Sequence, residues 1–285
     1  MSRVLAVDLG GTKTALARVD AAGTIHGRRK LPAAHTLAQS VDQIAEAAAD
    51  VTAIGVIVPG IYTPATGQAW CPNLWGPSEV PLLDALRTRV SIPVAIDSDR
   101  SGYVLGESWL GAARGLRDVV FVSISTGIGA GILCDGQVVR GAHGIAGAVG
   151  WFALGPAWKD AYRQTGCWEA ESAGPSVARL FGAADAESVV AAARSGDRAA
   201  RGVLDRAAQY CAMGIANLIS VLNPEAVVLG GGVLHGAGDL LLDTIRTEVH
   251  RWAQPIAAAR CRIELSQLGE DAGLLGAARL ALTSS

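Results

Sequence analysis

The chain has 285 residues, half of them apolar, and five cysteines scattered without a CxxC pair; this is enough for two α/β domains that need neither disulfides nor a metal to fold. A formal net charge of −2, with no block of lysine or arginine, leaves no footprint for nucleic acid or an anionic membrane surface. No export leader is read, and the longest uncharged stretch, Tyr210 to Pro224, is short for a spanning helix and carries Asn217 and Asn223, so a cytoplasmic protein with no membrane partner is expected.

Residues 3–9, 14–20 and 24–31 read as three strands joined by glycine-containing turns. Helical periodicity over 37–49 precedes an apolar strand at 53–58 that stops at Pro59-Gly60. A loop rich in Pro, Gly and Trp covers 59–78, followed by a helix at 79–91, a strand at 93–97 and a helix at 99–111. The opening theme then recurs about 118 residues later: strand 118–125, glycine turn 126–131, and a strand restarting at Ile132 that turns at Asp135-Gly136. Helices at 174–195, 198–222, 236–252 and 271–282 alternate with strands at 225–230 and 260–266. The pattern predicts an α/β protein of two related halves, 1–112 and 113–285, with the last helix completing the first half.

Three segments carry chemistry. In Asp8-Leu9-Gly10-Gly11-Thr12-Lys13, glycines let backbone N–H groups approach phosphate oxygens, Thr12 adds a hydroxyl, and Asp8 can hold Mg²⁺ through water. Ser125 to Gly131, containing Thr126, Gly127, Gly129 and Gly131, has the same logic. Either segment alone is equally a tight hairpin turn; their occurrence at matching places in two halves favours paired phosphate cradles. Gly230-Gly231-Gly232 ends an apolar strand ahead of a helix, which suits backbone approach to a nucleotide at a helix N-terminus, though a plain strand-end turn stays open. No GxGxxG fingerprint and no Walker A lysine motif is present.

Through these segments, together with Gly144-Ile145-Ala146-Gly147, Gly166-Cys167-Trp168-Glu169 and Asp271 to Ala278, the chain resembles the ROK family of sugar kinases and repressors. The resemblance spans nearly the whole length and implies two RNase H-like, actin-like ATPase domains around a central cleft. It further implies ATP and Mg²⁺ as cofactors, a sugar or cyclitol acceptor, and a homodimer. ROK repressors carry an N-terminal helix-turn-helix, and with the first motif at Asp8 a repressor is not expected.

The resemblance places the catalytic base at Asp99, within Ile96-Asp97-Ser98-Asp99. Ser98 stands where the family has Asn, and Asp97 is the rival base should the register slip. An Asp at a helix start is also an ordinary N-cap. Gly60, Asn73, Ser98 and Glu169 match family positions that approach the acceptor. The family's other acceptor groups, a Glu and a His, are replaced here by Ala148 and Trp151. That His and three cysteines bind a structural zinc in the family. Trp151, Asp160 and Tyr162 stand at three of those positions and only Cys167 survives, so no structural zinc is expected. The sequence thus points to ATP-dependent phosphorylation of a primary hydroxyl on a modified hexose, aminosugar or C7-cyclitol. An ordinary glucokinase and an inactive sugar- or nucleotide-binding protein are the alternatives.

Overall fold

A computed structural model of the chain describes residues 3–284. It divides into two units: the first runs to Gly115 and also takes Val138–Ala146 and the chain from Glu270 on, while the second holds Leu116–Gln137 and Gly147–Gly269. The sequence reading, 1–112 and 113–285 with the last helix completing the first half, places that helix with the first unit as the structure does; it did not foresee that Val138–Ala146 also belongs there.

In the first unit the strands Ile25–Pro32, Lys13–Asp20, Arg3–Leu9, Ile54–Val58 and Val94–Ser98 form one sheet in that order. Arg3–Leu9 pairs antiparallel with Lys13–Asp20 and parallel with Ile54–Val58. All five residues of Ile54–Val58 are buried, as an apolar run covered on both faces of a sheet should be. The helix Leu37–Ala47 starts at Thr36, whose hydroxyl accepts from the Gln39 N–H. The helices Asp99–Leu110 and Ala272–Thr283 pack together, and the latter also covers Arg3–Leu9 and Ile54–Val58. Glycines set that approach: a Cβ on Gly276 would lie 1.8 Å from the Gly102 carbonyl oxygen, and one on Gly106 2.6 Å from that of Ala272.

The second unit repeats the theme. Ile128–Cys134, Val119–Ile124, Ala226–Gly230 and Arg262–Leu265 lie side by side in that order, the first pair antiparallel and the others parallel. Its core centres on the 25-residue helix Arg198–Leu222, which Asp197 caps and Asn223 ends in the left-handed conformation before Pro224. Trp168 is fully buried against that helix, where a Cβ on Gly214 would meet its ring at 2.5 Å. The duplication of strand, turn and strand is therefore a duplication of sheet topology, and the two units are RNase H-like domains of the actin-like ATPase class.

Local departures from the sequence reading have local causes. The helix expected at 79–91 is only Leu82–Arg87, entered through Pro81. The one expected at 174–195 breaks into Gly174–Phe181 and Ala186–Arg194, because Gly182 adopts the left-handed conformation and Asp185 caps a new start. The helix expected from 236 begins at Gly232. No helix among the described residues is long and apolar enough to cross a membrane.

Candidate active site

Asp8 is the penultimate residue of Arg3–Leu9, and Asp99 is the first residue of Asp99–Leu110. Both side chains are half-buried. Burial first, and the charge of Asp99 second, push the Asp8 carboxyl up to about 7. Burial likewise pushes Asp99 up to about 6, against the opposing pull of the Arg100 charge and of the Arg100 N–H, which donates to Oδ1 at 2.7 Å. Two carboxylates thus feel one another away from bulk water. Cys71 and Tyr103 face the same place: burial and then the charge of Asp99 push the Cys71 thiol up to about 12, and burial, Asp8 and Asp99 raise the Tyr103 phenol. Gly273 makes room for this group, since a Cβ there would fall 2.1 Å from Asp8 Oδ2.

The helix cap is not made by Asp99. Ser98 caps the helix, its Oγ accepting from the Ser101 N–H at 3.3 Å and lying 3.1 Å from Ser101 Oγ. Ser98 is buried, so its hydroxyl serves the fold first. Asp97, the rival base, is also committed: Arg140 Nε and Nη2 donate to its Oδ2 at 2.8 and 2.6 Å, and the Ser98 N–H donates to its Oδ1 at 2.8 Å. With Arg100 Nη1 donating to the Ala146 carbonyl at 3.3 Å, this pair fastens Val138–Ala146 to the start of the Asp99 helix. Tyr103, Arg140 and Gly273 were not singled out from the sequence. Only Gly273 left a signal there, as a glycine inside an otherwise apolar helix.

The turn after Asp8 is tighter than expected. Gly10 N–H donates to the Lys13 carbonyl at 2.8 Å and the strand resumes at Lys13, leaving Gly11, Thr12 and Lys13 exposed at the tip. Asn73 is exposed on the short helix Pro72–Trp75, its Cβ 4.0 Å from where one on Gly11 would stand. Gly60 lies under Trp70, whose carbonyl oxygen would be 2.1 Å from a Cβ there. The structure therefore brings Asn73 to the glycine turn, and gives Gly60 a packing reason to lack a side chain.

In the second unit the turn is Ser125 to Gly127, with the Ser125 N–H donating to the Gly127 carbonyl at 2.9 Å. Gly129 and Gly131, read from the sequence as turn residues, instead lie in the ladder opposite Ser123 and Phe121, because the strand restarts at Ile128. Thr126 stands exposed at the tip. Gly230 ends its strand against the Phe121 ring, and Gly231, at φ +91°, turns the chain into the helix Gly232–Trp252. A Cβ on Gly232 would lie 3.6 Å from Ser125 Oγ, so this helix start sits beside the turn. No side chain caps it, and its first N–H groups suit an anion.

Glu169 projects from the helix Cys167–Ser172 to the same turn, its Oε2 accepting from the Ile128 N–H at 2.7 Å. Burial raises its carboxyl while that N–H lowers it, with burial prevailing. Ala148 is half-buried just before the 3-10 turn Val149–Trp151. Trp151 is 58% exposed and Trp158 64% exposed, the latter set edge-on to Tyr162 at 5.8 Å. Around the expected zinc positions a carboxylate organises the chain: buried Glu171 accepts from Lys159 Nζ, Tyr162 Oη and Arg206 Nη2. Burial alone would raise Glu171; these three donors hold it below the usual carboxylate range.

The donor set at Asp8 fits a hard divalent cation. Asp8 and Asp99 are half-buried carboxylates, and the charge of Asp99 is near enough to raise Asp8, which is the hard oxygen chemistry such a cation takes.

Each unit thus carries a sheet of the same topology, with Asp8 and Asp99 near one another in the first and an uncapped helix start beside a glycine turn in the second. The ROK family model matches residues 4–284. The chain is 30% identical to a glucokinase of Halalkalibacterium halodurans, over 95% of this chain and 92% of the relative, and 30% identical to an N-acetylmannosamine kinase of Salmonella typhi, over 97% of each. The crystal structure of a ROK family glucokinase from Streptomyces griseus in complex with glucose and AMPPNP superposes with a TM-score of 0.82 at 29% identity, covering 99% of this chain and 100% of that one. The chain belongs to the ROK family, as an ATP-dependent sugar kinase.

Proposed function

We propose that the protein transfers the γ-phosphoryl group of ATP to a primary hydroxyl of a modified hexose, an aminosugar or a C7-cyclitol, with Asp99 as the base. The carrying observation is the state of Asp99: it opens a helix without capping it, is half-buried, and has a carboxyl raised to about 6 beside a second carboxylate. Such a group is ionised at neutral pH yet basic enough to take a proton from an attacking hydroxyl. The hydroxyl oxygen bonds to the γ-phosphorus as the bond to the departing ADP oxygen breaks, and Asp99 receives the hydroxyl proton. Asp8 would hold Mg²⁺ through water, the cation neutralising phosphate charge when bound. Ser125 to Gly127 and the N–H groups from Gly232 would bind phosphate oxygens, and Gly11, Thr12 and Lys13 offer a second tip for them. In the cell we read the protein as a cytoplasmic homodimer.

The acceptor follows from Ala148 and Trp151. Each charged hydrogen bond that a glucose site of the family type loses here is worth about 1.5–3 kcal/mol, so unmodified glucose should be used poorly. An exposed indole at 151 offers a flat apolar wall where an N-acyl or deoxy position can lie. The likeness to both a glucokinase and an N-acetylmannosamine kinase is compatible with that range. The test is kcat/KM across glucose, aminosugars, N-acyl aminosugars, deoxy sugars and cyclitols. A modified acceptor should win, and Ala148→Glu with Trp151→His should move preference toward glucose. Glucose outperforming every analogue in the wild type would return the protein to ordinary glucokinase, and no turnover of any acceptor would favour a binding protein.

A further inference from the structure

Glu169 is placed by its helix with little freedom. Trp168 before it is fully buried, and Glu171 after it is clasped by Lys159, Tyr162 and Arg206. From this base the carboxylate reaches between two loops. Its Oε2 accepts from the Ile128 N–H at 2.7 Å, and would lie only 2.8 Å from a Cβ on Gly127 and 3.1 Å from one on Gly150. Gly127 belongs to the phosphate turn and Gly150 to the turn carrying Trp151. The other oxygen, Oε1, receives no hydrogen bond from the described residues.

A negative charge beside a turn meant for phosphate is unfavourable unless it does something there. Here it closes the turn: one end is held by the Ser125 N–H on the Gly127 carbonyl and by the Gly174 N–H on the Ser125 carbonyl, the other by Ile128 on Glu169. A charge-assisted bond from a rigid helix fixes a backbone N–H better than a neutral one. We propose that Glu169 is a positioning residue for the turn Ser125–Ile128, so that the carboxylate proposed to contact the acceptor also sets affinity for the nucleotide. The inference rests on the kinase reading above and adds to it a link between the two substrates through one side chain.

The test is calorimetric affinity for AMPPNP in the absence of any acceptor, on wild type, E169Q and E169M, each checked for an intact melting transition. Gln keeps an oxygen for the Ile128 N–H, whereas Met has similar shape and no acceptor. E169Q should bind within about threefold of wild type and E169M roughly tenfold more weakly, while both raise the acceptor KM. Hydrogen exchange of the peptide spanning 125–131 should quicken in E169M and not in E169Q. Should E169M fail to fold, E169D, which withdraws the carboxylate by one methylene, is read with the same expectation of weakened nucleotide binding. Wild-type AMPPNP affinity in E169M, or in E169D if that is the variant read, overturns the proposal while leaving the kinase reading intact. Failure of the wild type to bind any adenine nucleotide overturns both.

Discussion

The two units share a sheet topology, and one of the positions at which they differ is the residue before the end of the first strand. The penultimate residue of the first strand is Asp8 in one unit and Ser123 in the other. A carboxylate beside a glycine turn repels phosphate unless a cation sits between them, whereas a neutral hydroxyl does not. On the proposed reading the first unit takes the metal and proton chemistry and the second the direct backbone contact with phosphate.

Removing the base should have the largest effect. Asp99→Asn is expected to lower kcat by about a hundredfold or more with AMPPNP affinity kept, and wild-type kcat/KM should fall as pH drops below about 6, where Asp99 takes up its proton. Asp97→Asn should act differently, lowering the melting temperature by breaking the pair with Arg140. A dead Asp97→Asn beside an active Asp99→Asn would shift the site by two residues.

Next in size is the helix crossing that places Asp99. Gly to Ala inside a helix ordinarily stabilises by about 1 kcal/mol. At Gly276 the new methyl would meet the Gly102 carbonyl at 1.8 Å, so Gly276→Ala should destabilise by about 2–4 kcal/mol in urea unfolding. An unchanged midpoint would mean that the crossing is looser than described.

The second unit should respond at Glu171 instead. Its replacement by Gln strips the anion from Lys159 and Arg206, which are partly exposed and can rehydrate, so a loss of about 2 kcal/mol is expected. Acceptor KM should rise because Lys159 and Tyr162 hold the loop beyond Trp151, while thermal melting in chelator should match melting without it. A melting temperature that falls on chelation would show that a metal shares this role.

The smallest expected change in stability sharpens the contrast between Asp8 and Ser123. Burial raises Asp8 from 3.8 to about 7, so its neutral form is favoured in the fold. The stability it contributes is present in full below about pH 4 and is lost as pH rises through about 7. Because Asp8 is only half-buried and solvent screens its charge, Asp8→Asn should raise the melting temperature by a few degrees at pH 8 without Mg²⁺, about 1 kcal/mol after that screening, and change it little at pH 4, with turnover strongly reduced. Equal shifts at both pH values would argue against a strained carboxylate.

Much of the site was legible because it is written in short local signals. Glycine turns after strands announce themselves at Gly10-Gly11 and Gly230-Gly231-Gly232, and Asp99 sits at a strand-to-helix junction that hydrophobic periodicity finds. What misled was also local. Gly129 and Gly131 look like turn residues, yet they sit opposite Ser123 and Phe121 in a ladder, a register that depends on the partner strand. Ser98, a candidate acceptor contact, also turns out to cap the helix, its Oγ accepting from the Ser101 N–H.

By itself the sequence determined the α/β class, the duplication and the place of each glycine turn, since period, punctuation and spacing along the chain encode those, whereas the candidate base came from the likeness to the ROK family. Only the tertiary structure decided that Asp97 is paired with Arg140, that Gly273 leaves space for Asp8, and that Glu169 reaches Ile128. These contacts join residues 43, 265 and 41 positions apart, and a carboxylate's role depends on what desolvates it and what donates to it. Those neighbours are chosen by folding, and no local pattern records them.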